Sequence, residues 1–380
     1  MSRWPVRVLG NHARTCSGVT PARDNAAYWK QPEVPWVKTG EVDFTPITSV
    51  REFISRKALE ECSLVLLPPN SVLIAITGEG KTRGRSAVLE IEATTNQHCF
   101  AILPSETWDS NFLELWLRSQ YENLRKLSAA RGGSRSALSG TQLNALEVPT
   151  PELGEQRQIA AKLKPQLAEV DAARLAAQAQ LDEVSRLADA IVRESVLRNP
   201  VERCSLGDVL DEVKNGIGSS WATYPVLGAT RDGLAPARER PGKQAVKYKP
   251  VFTGTVFYNP MRILIGSIAL LDDDDAPGIT SPDYVALQGR AGLVDSRWFY
   301  YWLRSPLGVK CITSLARGAV RERMLFNRLA EGEIELPPLP VQRKASAALK
   351  ELKPLRVGIE KKLQEIDLLP QRLLAQAFEN

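Results

Sequence analysis

Hydrophobic and polar positions along this chain fall into two kinds of pattern, and each kind occurs twice. In the first kind, short apolar and β-branched runs such as Ser71 to Ile76, Ala87 to Ile91 and Val251 to Tyr258 are punctuated by Gly, Pro and other turn residues. That is the sign of short strands in a mixed α and β domain. The pattern extends to about Val148 and returns from about Arg203 to Leu336. Each stretch carries one amphipathic helix, predicted over Asp109 to Leu127 and over Asp295 to Thr313, with an aromatic, leucine-rich face.

The second kind follows the breaks at Pro149 and Pro151, and at Pro337, Pro338 and Pro340. There Gly nearly disappears and Ala, Leu, Gln, Glu, Lys and Arg dominate, which predicts two long helices. Residues alternate by three and four through Ala160, Leu163, Leu167, Val170, Arg174, Ala177, Leu181, Val184, Ala188, Ile191 and Ser195. The second series is Ala345, Ala348, Leu352, Leu355, Ile359, Lys362, Ile366, Leu369, Leu373 and Gln376. These are heptad seams with polar members, and two of them in one chain can satisfy each other by packing together as a coiled coil. The alternative is two amphipathic helices, each lying on its own domain. Pro165, Pro354 and Pro370 predict kinks or late helix starts, since an interior Pro removes a hydrogen bond and costs about 3 kcal/mol.

A repeat organises these patterns. Trp116, Leu117, Arg118 and Ser119 recur as Trp302, Leu303, Arg304 and Ser305, an offset of 186 residues. The same offset carries Ala130, Arg131, Gly132 and Arg135 onto Ala316, Arg317, Gly318 and Arg321, and Pro151, Leu153, Gln156 and Arg157 onto Pro337, Leu339, Gln342 and Arg343. Three motifs at one ungapped spacing imply a tandem duplication, not a solenoid. The expected domains are residues 1–150, a long helix over 151–200, a second domain over 201–338 and a last long helix over 339–380.

Composition narrows the function classes. Hydrophobic residues make up 43% and charged residues 24% of the 380, and no stretch approaches the ~20 apolar residues that cross a bilayer. The start carries Arg3, Arg7 and Arg14 without an apolar core segment, so no secretion signal is expected and the expected compartment is the cytoplasm. Cys16, Cys62, Cys99, Cys204 and Cys311 form no C-x-x-C pair and are expected as buried free thiols. With only His12 and His98 in the chain, a zinc site or a histidine acid-base relay is not expected. The net charge of +5 is mild, but basic residues cluster in loops: Lys81, Arg83 and Arg85; Arg125, Lys126, Arg131 and Arg135; Arg238, Arg240, Lys243, Lys247 and Lys249; Arg317, Arg321, Arg323 and Arg328. Each cluster is either solvated surface or a set of phosphate contacts.

The motifs that carry chemistry argue mostly against catalysis. Ala75 to Thr82 ends in the Gly-Lys-Thr of a phosphate loop, yet the following Arg83, Gly84, Arg85 and the run Ala87 to Ile91 read as a turn into a strand. A phosphate loop must instead feed a helix whose N–H groups hold the phosphates. The segment therefore reads as a β-hairpin with a basic tip, Lys81 to Arg85. Asn259, Pro260, Met261 lacks the second Pro and the aromatic of a DNA methyltransferase motif. Asp211 to Lys214 is a partial nuclease pattern in a helical-looking stretch, and Asp272 to Asp275 reads as a solvated acidic loop. The paired arginines after each domain helix, Arg131 and Arg135, and Arg317 and Arg321, suit a phosphate backbone or a guanine edge, or else cap the preceding helix.

Together these residues are recognisable. Pro149 to Leu163, with Pro151, Leu153, Glu155, Gln156, Ile159, Ala160 and Leu163, resembles the signature that opens the conserved helix in specificity subunits of type I restriction-modification enzymes. Tyr28, Trp29, then Pro35 to Gly40, and later Thr95, Asn96, Gln97 resemble one class of their target-recognition domain. Asn259, Pro260, Met261, Arg262, Gly266 and Ser281 to Tyr284 are similar to another. The second copy departs at its helix start, where Val341 stands in place of the Glu and Arg343, Lys344 and Ala345 follow Gln342.

The resemblance implies an α+β fold: two tandem mixed α/β target-recognition domains joined by two long antiparallel helices in a coiled coil, with pseudo-two-fold symmetry. It implies a non-catalytic subunit of a methyltransferase and endonuclease complex, each recognition domain reading one half of a bipartite site on double-stranded DNA. The helices would set the spacer and dock two modification subunits, which restriction (motor-nuclease) subunits would join, with no membrane partner. S-adenosylmethionine, ATP and Mg are then expected only on those partners. The DNA-contact candidates are Lys38, Thr39, Lys81, Arg83, Arg85, Asn96, Gln97, Arg131 and Arg135 in the first domain, and Arg231, Lys247, Arg262, Ser281, Arg317 and Arg321 in the second. Partner-contact candidates are Glu155, Gln156, Ile159, Leu163, Gln342, Arg343 and Leu349. Two rivals differ in class: a phosphate-loop enzyme would bind nucleotide and lose it on Lys81→Ala, and a coiled-coil scaffold or orphan DNA-binding regulator would act without restriction.

Overall fold

Both halves of the repeat build one scaffold in the computed structural model of the chain, which describes residues 4–78, 80–129, 137–237, 241–242, 244–316 and 323–378. Unit 1 comprises residues 1–175 with 364–380, and unit 2 comprises residues 176–363. The division therefore runs through the long helices and not through the Pro-rich breaks.

In unit 1, β1 (Val6–Val8) pairs antiparallel with β9 (Glu147–Pro149), bringing the two ends of the domain together. After α1 (Leu9–His12), a four-stranded antiparallel sheet has the order β2 (Thr15–Ser17), β8 (Cys99–Ile102), β5 (Val72–Ala75), β6 (Ser86–Val88). Successive strand residues face opposite ways. Val72, Ile74, Phe100 and Ile102 pack on Phe112, Leu113, Trp116 and Leu117, whereas Leu73, Ala75, Cys99 and Ala101 pack on Val37, Val42 and Ile47. An insert adds β3 (Val34–Val37), β4 (Phe53–Ile54), α2 (Arg56–Glu61) and β7 (Thr94–Thr95), in the sheet order β4-β3-β7. The predicted helix is two helices, α3 (Ser110–Ser119) and α4 (Tyr121–Ala129), followed by α5 (Gly140–Asn144).

Unit 2 repeats this order. β10 (Glu202–Ser205) pairs with β19 (Glu333–Leu336), α7 (Leu206–Val209) follows β10, and the four-stranded sheet runs β11 (Leu210–Glu212), β18 (Val285–Gly289), β15 (Val256–Tyr258), β16 (Ile268–Leu270). Its insert differs: a hairpin of β12 (Leu227–Thr230) and β13 (Gly233–Pro236), and a pair of β14 (Lys249–Val251) with β17 (Gly278–Thr280). Here too the single predicted helix divides, into α8 (Ser296–Arg304) and α9 (Pro306–Leu315), with α10 (Phe326–Leu329) after them. The breaks fall just after Ser119 and at Ser305, the repeated serine, whose hydroxyl donates back to a carbonyl: Ser119 to Trp116 at 2.6 Å and Ser305 to Trp302 at 2.7 Å. In unit 2 Pro306 enforces the break, because it has no N–H to donate and holds Ser305 in the extended region.

The long helices are α6 (Leu153–Leu197) and α11 (Leu339–Phe378), and they pack together. Each runs through its prolines without a late start, since Pro165, Pro354 and Pro370 all lie inside helix. In unit 1 Ala160, Leu163 and Leu167 meet Leu374 and Leu115, and in unit 2 Ala188, Val192 and Val196 share one core with Ala345, Leu349, Leu352 and the domain's Trp298. The two expected modes of packing are thus combined, each helix covering its partner and a domain at once. That broadens the buried face and displaces part of the second seam: Ala345, Leu352 and Ile366 are buried as expected and Leu349 and Leu374 join them, whereas Ala348, Lys362 and Gln376 are exposed and Leu355 is 57% exposed.

Two acidic stretches also depart from expectation. Asp211 to Lys214 lies partly in strand β11, not helix, and Glu212 faces Lys249 and Lys214 at 3.7 and 3.9 Å. The run Asp272 to Asp275 is only in part a solvated loop: Asp273 and Asp274 are exposed, but Asp272 is buried and the run acts as a fastening. Arg297 on α8 pairs with Asp272 and, at 2.8 Å, with Asp273, while Lys350 and Lys353 of α11 reach Asp273 and Asp275 at 2.9 and 3.0 Å. Asp272 is 7% exposed; although its burial works in the opposite direction, the Arg297 hydrogen bond and neighbouring charges keep its carboxyl below the usual range.

The joint between domain and helix is a buried glutamine in both units. Gln156 accepts from the Asp109 N–H at 2.8 Å and donates to the carbonyls of Thr107 and Pro151 at 2.9 and 2.8 Å. Gln342 accepts from the Asp295 N–H at 2.9 Å and donates to Leu293 and Pro337 at 2.9 and 2.8 Å. Every partner obeys the offset of 186 residues, and both side chains are 0% exposed. Asp109 and Asp295 in turn cap α3 and α8 through their carboxylates.

Removing either amide strands one N–H and two carbonyls in the interior, where each unsatisfied group costs about 1–3 kcal/mol. Gln156→Ala and Gln342→Ala are each expected to lower thermal stability by at least about 2 kcal/mol, and Gln158→Ala on the exposed face to change it little, as calorimetry would show. A second prediction concerns Glu114 on α3. Burial raises its carboxyl to about 7, opposed by Arg118 and by the Ser86 hydroxyl at 3.1 Å. The folded chain then holds a proton that the unfolded chain has released, so stability falls as pH rises from the unfolded value of 4.5 toward 7. Glu114→Gln is expected to flatten that fall, with the variant gaining relative to the parent at pH 8 over pH 5 in unfolding midpoints.

Candidate nucleic-acid interface

In unit 1 the candidate residues gather where β5 ends and β8 begins. Beyond β3, Lys38 pairs with Glu52 at 2.7 Å, and Arg23 reaches the same carboxylate at 2.8 Å. The Lys38 and Arg23 hydrogen bonds hold Glu52 below the usual carboxylate range. The Thr39 hydroxyl donates to Asn96 Oδ1 at 2.9 Å, which also accepts the His98 N–H at 3.1 Å, and Asn96 is buried. Gln97 is exposed and accepts from the Thr20 hydroxyl. The Ile76 N–H then bonds to the His98 carbonyl at 3.0 Å, joining this group to the loop between β5 and β6.

That loop is the predicted hairpin, with Val72 opposite Val88 and Ile74 opposite Ser86. Gly78 and Gly84 take φ of +122° and +89°, which side chains rarely adopt. Thr82 leads through a turn into β6, so no helix N-terminus stands where a phosphate loop needs one. Lys81 is exposed, Arg83 is buried, and Arg85 is paired with Asp43. Sequence reasoning missed what holds the tip. The Tyr121 hydroxyl donates to the Lys81 carbonyl at 2.7 Å and Arg125 Nη1 to that of Arg83 at 3.2 Å. The Phe44 ring lies edge-on to Tyr121 at 5.5 Å, with the Arg118 guanidinium 4.9 Å above it. Arg118 belongs to the repeated Trp-Leu-Arg-Ser, which was the available signal.

Unit 2 places its candidates at the repeat-equivalent spot, where β15 ends and β18 begins. Arg262 is exposed on the loop between β15 and β16, and Arg231 is exposed on the turn between β12 and β13. The repeated arginine fastens them: Arg304 donates to the carbonyls of Gly266, Ile268 and Arg231 at 3.2, 2.9 and 2.6 Å. Ser281, 186 residues after Thr95, accepts the Asp283 N–H at 3.4 Å. Asp283 pairs with Arg323 at 3.3 Å, and the Met324 N–H bonds to Pro260 at 3.1 Å. The loops that carry Arg231, Arg262 and Ser281 are therefore tied to one another, whereas Lys247 is exposed on a separate turn, Ala245–Lys247. Arg131, Arg135, Arg317 and Arg321 lie outside the described residues.

The candidate partner contacts divide by burial. Gln156, Leu163, Gln342 and Leu349 are at most 3% exposed and work inside the chain, as clamps and core. Glu155 accepts from Trp4 Nε1 at 3.0 Å, Ile159 is half-buried and Arg343 is exposed. Among the described residues no group of three or more His, Cys, Asp or Glu could hold a metal ion, and no helix is long and apolar enough to cross a membrane. All five cysteines are free, but only Cys99 is buried as expected, which pushes its thiol up to about 12; Cys16, Cys62, Cys204 and Cys311 are half-buried, and that partial burial raises the thiols of Cys16, Cys204 and Cys311.

Residues 1–179 match the family model for the type I restriction modification DNA specificity domain. The specificity subunit of the Escherichia coli type I restriction enzyme EcoR124I/EcoR124II is 24% identical over 154 residues, which is 40% of this chain and 38% of that one. The putative MjaX specificity subunit of Methanocaldococcus jannaschii is 22% identical over 400 aligned residues, covering 98% of this chain and 92% of its own length. The Escherichia coli match thus spans well under two thirds of that relative. Among solved structures, a chain from work on the assembly and conformational transition of the type I R-M system aligns with a TM-score of 0.64 at 20% identity, over 99% of this chain and 97% of its own. The S subunit of a type I restriction-modification system from M. genitalium aligns at 0.52 and 16% identity, over 99% and 96%. These likenesses establish the shared fold. Over residues 1–179 the chain is similar to the type I restriction modification DNA specificity domain family, and over its whole length it is similar to type I specificity subunits.

Proposed function

We propose that this chain is the DNA-recognition subunit of a type I restriction-modification complex, each unit reading one half of a split site. The observation that carries the reading is the repeat of place: in both units exposed loop residues gather at the same ends of equivalent strands, β5 with β8 and β15 with β18, fastened by the same repeated arginine or its neighbours. Basic side chains on loops suit phosphate contacts, and loop-borne amides and guanidinium groups suit base edges. The inserts between the shared strands differ, so the two halves of the site would differ as well.

In this reading the chain performs no chemistry. Modification subunits would dock on the long helices and supply S-adenosylmethionine and base flipping, and restriction subunits would bring ATP, Mg and cleavage. Glu155, Ile159 and Arg343, which remain at least partly accessible, are the docking candidates that burial leaves. The helices would fix the length of unread DNA between the halves.

Genomic methylation mapped in a host that expresses the chain with its modification subunit tests this. The expected outcome is a split, asymmetric methylated motif that disappears when the chain is deleted. Methylation unchanged by the deletion would overturn the reading.

A further inference from the structure

Where unit 1 presents its basic hairpin, unit 2 presents a loop of different character. Met261, Leu264 and Ile265 are 48, 54 and 64% exposed on the segment between β15 and β16. A single exposed apolar residue is ordinary, but three large ones in one short loop are not. The loop is firmly held. The Asn259 N–H bonds to the Ser267 carbonyl at 3.2 Å and the Gly266 N–H to Ile263 at 2.9 Å, while the Met261 N–H reaches Asn259 Oδ1 at 3.0 Å. Ile263 is 3% exposed and anchors the loop in the core of unit 2. The Ser267 hydroxyl and Arg304 tie it to the neighbouring turn of β12 and β13. Burying one isoleucine and holding its neighbours outward is an ordered presentation, not fraying.

The loop and the turn beside it also carry charge. Arg231 and Arg262 are exposed beside the apolar residues, and neither guanidinium is ion-paired among the described residues. An apolar loop with one available guanidinium group within it and another on the neighbouring turn fits a surface that sets anionic groups beside apolar ones. The major groove of duplex DNA is such a surface, with phosphates along both edges and the thymine C5 methyl as the apolar group on its floor. We propose that unit 2 reads its half of the DNA site in part by contact of Met261, Leu264 and Ile265 with thymine methyl groups, Arg231 and Arg262 taking the flanking phosphates. This rests on the DNA-recognition reading and adds the chemistry of readout. Unit 1 presents the exposed Lys81 and Gln97 at the equivalent place, which suit charge and hydrogen bonds instead.

Uracil lacks only the C5 methyl of thymine, so it is the probe. The chain in complex with its modification subunit is titrated with a duplex carrying its methylated motif, and thymines in each half are replaced in turn by uracil. Loss of one buried methyl, roughly 0.8 kcal/mol, predicts about a fourfold weaker affinity for at least one position in the half read by unit 2. Leu264→Ser with Ile265→Ser, both at exposed positions, is expected to weaken binding to the thymine duplex and erase the thymine-uracil difference in that half alone, with the salt dependence unchanged. Unfolding midpoints of the variant confirm that it remains folded. A motif whose halves contain no thymine, equal binding of thymine and uracil duplexes, or a variant that loses the modification subunit while the difference persists would each overturn the proposal. A parent complex with no sequence preference on DNA would overturn the recognition reading itself, whereas a parent that prefers its motif but ignores uracil overturns this proposal alone.

Discussion

One buried carboxamide, used twice, determines how each domain meets its long helix. Gln156 and Gln342 each offer one acceptor and two donors to backbone groups from the segment before the domain helix and from the proline turn before the long helix. A bond between neutral groups contributes only about 1 kcal/mol net, but leaving its partners unsatisfied inside the protein costs more, which makes the joint specific as well as stabilising. Only an amide of that length matches the pattern: a carboxylate lacks the donors and an alkyl chain lacks both. The helix caps at Asp109 and Asp295 depend on the same joint, because the clamped N–H belongs to the capping residue itself.

With the joint conserved between units, divergence is confined to what the joint supports. The four-stranded sheets share order and direction, yet unit 1 inserts a three-stranded sheet that includes a parallel pair, and unit 2 inserts a hairpin and a separate strand pair. The fastening of helix to domain diverges too. Unit 2 uses Arg297, Lys350 and Lys353 on three aspartates, whereas in unit 1 Lys164 makes a hydrogen bond to Asn111 at 3.0 Å. A scaffold that fixes the frame while its loops vary is what modular recognition requires.

Much of this was legible in the sequence because repetition is a statistical signal independent of local propensity. The offset between Gln156 and Gln342 placed the clamps before their partners were known, although their role as inward joints was not visible, since an exposed Gln at a helix start reads the same. The phosphate-loop string at Gly78 to Thr82 was correctly separated from a helix by the strand pattern after it. The helix breaks just after Ser119 and at Ser305 were hidden because an apolar face continues across them, and only the Pro after Ser305 gave a cue. The pairing of Asp272, Asp273 and Asp275 could not be read, because their cations arrive from residues far along the chain. The second heptad seam held at Ala345, Leu352 and Ile366 but slipped elsewhere, because α11 serves a domain as well as a helix and a single-partner period does not describe both.

On the proposed function, one duplicated frame carries two independent readers. The most direct test exchanges residues 1–150 for another recognition domain of the same family and maps the methylated motif of the hybrid. The account predicts that one half of the motif changes while the other half stays as it was. A change in both halves, or in neither, would contradict it.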